Sequence, residues 1–306
     1  MDPQLHSRLK RSAARLPVLL LASVLLVSGC SVKLAYNNLD RFARWAVSDY
    51  VDMTPVQRAY FDDALEEFLY WHRVEHLPRY AAFLEAVEST FADGTDEQEM
   101  QGMVNTVLSW ADEIEARGLP IAVELLASLD DDQLAALPAR LEAGNREIEE
   151  PERDLTLAQA QSAWAEEFSD RFRQFSGRLT KQQEAFVHSQ SVRYLPERAL
   201  WAEYRRRWQA QLLALLEQRE DLPTFAAAFA QLNRERERYY GDELTGVFAN
   251  NEALTRETSV WMVNNLSPRQ QARFFTRLEE LAQDLRELAG AVPPQVPAPD
   301  ACLVTC

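Results

Sequence analysis

Two histidines four residues apart, His72 and His76 in Trp71-His-Arg-Val-Glu-His76, have the spacing best suited to metal chemistry. On a helix that spacing puts both imidazoles on one face, with Glu75 adjacent. Such a pair can take zinc or copper, given a third ligand from Glu75 or another helix and an open position. There is no His-Glu-x-x-His, and the remaining histidine beyond the leader, His188, is remote. Both histidines also extend the apolar stripe of Phe61, Leu65 and Phe68. Structural or rim histidines are therefore the expectation, with His72→Ala costing stability through lost packing on that stripe and His76→Ala costing little. Metal binding through His72 and His76 is the alternative.

The other charged cluster, Arg205-Arg-Arg207, lies between Tyr204 and Trp208. Consecutive residues do not share a helix face, so these arginines are expected to flank an aromatic core stripe and pair with acidic neighbours. Anion or lipid-headgroup binding is the alternative. No Gly-rich phosphate loop, Gly-x-Ser-x-Gly elbow or nucleophile–His–carboxylate set occurs. The expectation is a protein that is not an enzyme, with no catalytic residue and no cofactor.

Cys30 carries a different chemistry. It closes Leu25-Leu-Val-Ser-Gly-Cys30, after an apolar run from Val18 to Val27 and a basic stretch holding Arg8, Lys10, Arg11 and Arg15. The apolar run is too short to span a bilayer, which needs about 20 residues. Small residues precede the cysteine, as a signal peptidase requires. The arrangement reads as a lipoprotein signal over residues 1–29, with Cys30 as the lipid attachment site. Ser31 follows the cysteine where an Asp commonly retains lipoproteins in the inner membrane, so the outer membrane, facing the periplasm, is the expected location.

Residues 30–306 hold 28 basic and 47 acidic residues, a net charge of −19 that phosphate backbones repel. No nucleic-acid partner is expected. The acid is concentrated in residues 30–150, net −16, against −3 for residues 151–306. A solvated surface explains this; attraction of cations or basic partners is the alternative. An envelope protein or the cell wall is the expected partner.

Nine glycines in 306 residues, with Val, Ile and Thr sparse beside Ala, Leu, Glu, Gln and Arg, suit helices and few tight hairpins. Helix starts recur as an oxygen-bearing residue followed three positions later by Gln: Thr54–Gln57, Thr95–Gln98, Asp130–Gln133, Thr156–Gln159, Thr180–Gln183 and Ser267–Gln270. This is the capping box. Pro55 and Pro268 stand at the first helical position, where a missing N–H is harmless. Met53, Leu129, Leu155, Leu179 and Leu266 precede five of the six caps, as a hydrophobic staple would. The spacing between caps is too irregular for a solenoid.

Apolar stripes at helical period follow: Trp164, Phe168, Phe172, Phe175, Leu179; Trp201, Tyr204, Trp208, Leu212, Leu215; and Phe274, Leu278, Leu281, Leu285, Leu288. Pro78, Pro120, Pro138, Pro151, Pro196 and Pro223 mark breaks or first turns. A helix is expected over 224–250, with Arg234-Glu-Arg-Glu-Arg238 on its solvent face. Gly144–Pro151 is the candidate boundary between an acidic N-terminal helical region, 30–150, and a C-terminal one, 151–289. The fold class is all-α: an elongated multi-helix bundle of antiparallel helices, or two helical lobes. The Pro-rich tail, 290–306, is expected to be disordered, with Cys302 and Cys306 free to form a small disulfide loop or remain thiols.

Leu34-Ala-Tyr-Asn-Asn-Leu-Asp40, Met53-Thr-Pro-Val-Gln-Arg58, Trp71-His72 and Leu77-Pro-Arg-Tyr80 together resemble an uncharacterised family of Gram-negative helical lipoproteins. The resemblance implies an all-helical envelope lipoprotein and carries no activity; His76 is not part of the pattern. Leu155-Thr-Leu-Ala-Gln159 and Leu179-Thr-Lys-Gln-Gln183 also resemble the Leu-Thr-x-x-Gln motif of the Spy/CpxP-type periplasmic chaperones. That resemblance implies a helical cradle for unfolded clients.

Overall fold

The computed structural model describes residues 30–291. The leader 1–29 and the tail with Cys302 and Cys306 lie outside the described residues. The described chain is all-α, a multi-helix bundle with no strand among those residues. In chain order the helices are α1 (Cys30–Tyr36), α2 (Leu39–Ser48), α3 (Pro55–Glu75), α4 (Leu77–Phe91), α5 (Glu97–Ala127), α6 (Asp131–Arg153), α7 (Leu157–Ser176), α8 (Lys181–Ser191), α9 (Arg198–Leu216), α10 (Leu222–Arg234), α11 (Gly241–Asn264) and α12 (Pro268–Gly290). None is long and apolar enough to cross a membrane.

Two antiparallel pairs organise the bundle. α4 and α12 run opposite ways: Leu77 and Ala81 meet Leu281, Leu285 and Leu288, while Val87 and Phe91 meet Leu278 and Phe274. α6 and α9 do the same, with Arg198 near Glu152, Gln209 at Asn145, and Arg219 just past α9 reaching Leu129 and Asp131. The α12 stripe read from sequence, Leu278 to Leu288, is buried as a seam. Leu212 and Leu216 of α9 join Phe61, Leu65, Val123, Phe225 and Phe229 in the largest core cluster.

Capping boxes form at Thr54, Asp130, Thr156, Thr180 and Ser267, as the spacing predicts. The sixth shifts by one residue. Asp96 and Glu99, not Thr95 and Gln98, close the box. The reason is tertiary: the Asn264 side chain accepts from the Thr95 N–H and donates to its carbonyl, each at 2.8 Å. That holds Thr95 outside the helix and leaves the Asp96 carboxylate as the cap.

Four of the caps dock in pairs, which local sequence does not reveal. The Gln57 and Gln133 amides donate to each other's carbonyl oxygen at 3.0 and 2.7 Å. Each also donates to a backbone carbonyl two residues before the other's cap, Ser128 and Asp52. Gln183 and Gln270 repeat the arrangement, at 3.2 and 2.9 Å, with Asn265 and Arg178 as the carbonyls. Each glutamine oxygen meanwhile accepts its own N-cap N–H. Only an amide has both the acceptor and the two donors this requires; Glu serves a lone box but not the pair.

Several local expectations are corrected. Residues 224–250 are not one helix: α10 ends at Arg234, a short 3-10 turn spans Arg236–Tyr239, and Gly241 at φ +75° starts α11. Arg207 donates to the Tyr239 and Tyr240 carbonyls, and Arg236 turns in to pair with Glu115, so the break is clamped from two sides and Arg236 leaves the solvent face. Pro120 and Pro138 lie inside α5 and α6 without ending them. Buried residues on both sides of Pro120, from Trp110 to Ala127, hold α5 together despite the lost hydrogen bond. Gly144–Pro151 is helical rather than a linker, and Gly144 gives room to the Tyr50 hydroxyl. Leu155 stays exposed.

Candidate functional site

The residues singled out by type and spacing meet at the joint between α3 and α4. His76 is both the last cap of α3 and the first of α4. Its N–H donates to the His72 carbonyl, and its own carbonyl accepts from the Tyr80 N–H. Pro78 fits the first turn of α4, where its missing N–H is no loss. One helix thus gives way to the next at this residue, while His72, His76 and Tyr80 keep their spacing of four. α1 adds Tyr36 and α5 adds Trp110 and Glu113.

Both imidazoles are buried, His72 at 1% exposure and His76 at 0%. Of the structural and rim readings, burial leaves the structural one for both, and the small cost expected of His76→Ala is corrected accordingly. Trp71 covers it edge-on at 4.7 Å, and Tyr80 packs against Trp110 on the other side. The rings stack parallel, 5.2 Å between centroids and 5° between planes. Stacked rings do not point their nitrogens at one ion. No group of three or more His, Cys, Asp or Glu side chains among the described residues converges on a metal position.

The ring nitrogens are engaged by tyrosines instead. Tyr36 Oη lies 3.0 Å from His72 Nδ1, and Tyr80 Oη lies 3.3 Å from His72 Nε2 and 3.2 Å from His76 Nδ1. Tyr80 has one proton to give, and each neutral imidazole has one N–H. Two directions satisfy the chain. In the reverse direction His76 Nε2 would be a bare lone pair facing Glu113 Oε2 at 3.8 Å. In the forward direction Tyr36 donates to His72 Nδ1, His72 Nε2–H to the Tyr80 oxygen, and Tyr80 O–H to His76 Nδ1. His76 Nε2–H then points at the carboxylate. Electrostatics selects the forward direction, with both histidines as Nε2–H tautomers. The 3.8 Å gap is too long for a hydrogen bond, so His76 Nε2 is buried without one.

Burial sets the protonation. Desolvation first, then the neighbouring His76 ring, lower the His72 pKa to about 3. Desolvation and Arg79 also lower His76, against the opposing pull of Glu113 and Glu75. Burial raises Tyr36 to about 12 and raises Tyr80 further. Glu113 is held below its ordinary range by a bidentate pair with Arg79, at 2.5 and 2.8 Å. At neutral pH the line is uncharged from Tyr36 to His76 and ends on an ion pair.

This arrangement ties α1 to the body. Arg73 stacks over the Tyr36 ring at 5.1 Å and donates to Asn37 Oδ1. Lys33 pairs with Asp284 and Glu287 of α12. Val32, Tyr36 and Leu39 are buried with Leu77, Ala81 and Leu285. Tyr-Asn-Asn, Trp-His and Leu-Pro-x-Tyr are thus parts of one joint. The sequence signal for Tyr80 was its spacing, four from His76 and eight from His72. Glu113 carried no signal among so many carboxylates.

The other sequence candidates lie elsewhere. Arg206 bridges Glu142 and Glu149, Arg205 donates to Asn145 Oδ1, and Arg207 clamps the α10–α11 turn. His188 sits on α8, away from this joint. Glu75 makes no contact that brings it to an imidazole nitrogen beyond its charge acting on His76. Cys30 is the first residue of α1.

The geometry defines an all-helical bundle whose histidines are closed within a tyrosine-bonded joint. The chain belongs to a family of unknown function, DUF6279, whose model matches residues 49–244. That span contains His72, His76 and Tyr80 but begins after α2, so Tyr36 lies outside it. No curated protein and no solved structure matches the chain.

Proposed function

We propose that this protein is an envelope lipoprotein, cut before Cys30, lipidated there, and tethered to the outer membrane facing the periplasm. It acts by binding or structural support rather than catalysis. One observation carries the reading: the chemistry-bearing side chains are sealed in the joint that fixes α1, the helix that begins at Cys30. A buried imidazole with both nitrogens bonded to tyrosines serves position, not substrate. Lys33, Tyr36 and Asn37, three to seven residues past Cys30, are all held by the body. A lipid on Cys30 would thus attach to the domain with almost no slack. The Leu25–Cys30 run supports cleavage and acylation at that point.

Palmitate labelling of wild type and Cys30→Ala tests the anchor; equal labelling of both would refute it. The partner is sought by crosslinking in the envelope. One defined protein or cell-wall fragment recovered with the wild type supports the binding role. The rival is a Spy/CpxP-like cradle, favoured if near-stoichiometric protein suppresses client aggregation. The Leu179–Gln183 motif behind that rival is already engaged internally, in the cap pair with Gln270.

A further inference from the structure

α1 and α2 have two faces. Val32, Tyr36 and Leu39 are buried, while Leu34, Phe42 and Trp45 point outward at 67%, 54% and 65% exposure. Phe42 and Trp45 are three apart and share one face of α2. They are the strongly exposed Phe and Trp of the described residues; the other large exposed apolar side chains are aliphatic. Arg41 is exposed beside them and has no ion-pair partner among the described residues, whereas Arg44 is held by Asp40 and Asp62.

We propose that this outward face of α1 and α2 is a membrane-docking surface that lies in the headgroup region of the bilayer. The proposal rests on the lipid-anchor reading of Cys30. What selects a lipid surface is the place of Cys30. It lies in α1, six residues before the buried Tyr36, so no linker separates the proposed attachment point from the body. Twelve helical steps at 1.5 Å and three through the Asn37–Asn38 turn at up to 3.8 Å keep Trp45 within roughly 30 Å of that point. Fixing α1 through Tyr36, Lys33 and Arg73 leaves the aromatics little freedom to move away from an anchored Cys30. Trp and Phe with a neighbouring cation are the side chains that favour the interface, the rings in the acyl boundary and the guanidinium among phosphates. Docking here sets the orientation of the whole bundle, since α1 is bolted to α3 and α12.

The test uses the purified full chain, reconstituted in phosphatidylethanolamine–phosphatidylglycerol vesicles whose acyl chains carry bromine at shallow or deep positions. Mass spectrometry of the same sample reports acylation. Tryptophan quenching is compared between wild type and Trp45→Phe. The expected result is quenching stronger for shallow than deep bromine, falling roughly threefold or more in Trp45→Phe and reduced in Phe42→Ser. An acylated, vesicle-bound protein quenched equally with and without Trp45 overturns the docking surface and leaves the anchor standing. An unacylated protein with Trp45-dependent quenching keeps the surface and removes the anchor. If neither acylation nor quenching is seen, both readings fail. A lipid-free dimer dissociated by Phe42→Ser with Trp45→Ser assigns the face to a second copy and also overturns the proposal.

Discussion

Acidification from pH 7 to pH 5 should weaken the fold by about 2 kcal/mol through His72 alone. The ring is buried between two tyrosine hydroxyls with its pKa near 3, so it stays neutral in the folded chain across this range. In the unfolded chain it titrates near 6.5. Below that value the unfolded state binds about one more proton than the folded state, and stability changes by about 1.4 kcal/mol per pH unit. The sign is therefore a loss as pH falls, starting near 6.5 and complete near 3; above 6.5 the ring contributes no slope. His76, also lowered, adds to the same loss. Glu113 is lowered too, but a carboxylate with that shift loses stability only below the ordinary carboxylate range, beneath the window of the assay. Urea unfolding at pH 7 and pH 5, on wild type and His72→Gln, isolates the effect. Glutamine bonds to the same hydroxyls without titrating, and every other group cancels in the difference. The variant should lose about 2 kcal/mol of the pH dependence. A variant with the full wild-type dependence would refute the neutral buried ring, as would imidazole nitrogen shifts that report charge at pH 7; an Nδ1–H tautomer there would instead reverse the direction of the tyrosine–histidine hydrogen bonds.

Gln183→Glu should cost about 2–3 kcal/mol, because it removes donors to Gln270 and to the Asn265 carbonyl within a buried contact. Gln159→Glu, in an exposed box that pairs with nothing, should change stability by less than about 0.5 kcal/mol, and urea midpoints separate the two. His76→Ala should cost about 2–4 kcal/mol, since it empties a fully buried site and takes a partner from the Tyr80 hydroxyl; thermal unfolding near that of wild type would contradict the packing. Gly241→Ala should cost about 1 kcal/mol by backbone strain alone, as the nearest side-chain atom leaves room for a methyl group, and calorimetry checks it.

The all-helical class and most helix starts were legible in the chain because their causes are local. A Thr, Asp or Ser three residues before Gln satisfies its own orphan amides, wherever the helix later packs. The stripes likewise named the buried faces, as Leu278–Leu288 shows. Where local signals tied, tertiary contact decided. Thr95 and Asp96 both suited a cap, and Asn264, 169 residues away, settled it. Helical propensity through 224–250 was overridden by Arg207 and Arg236 reaching from elsewhere in the fold.

The candidate site divides the same way. Spacing placed His72 and His76 on one face, and the rings do stack. It did not show whether that face met solvent, a metal or tyrosine. Tyr36 lies 36 residues before His72, and Glu113 lies 37 after His76 on a different helix. A side chain's residue type and spacing are properties of the chain. Its solvent exposure, partner and protonation are properties of whatever packs around it, and they exist only once distant segments have met.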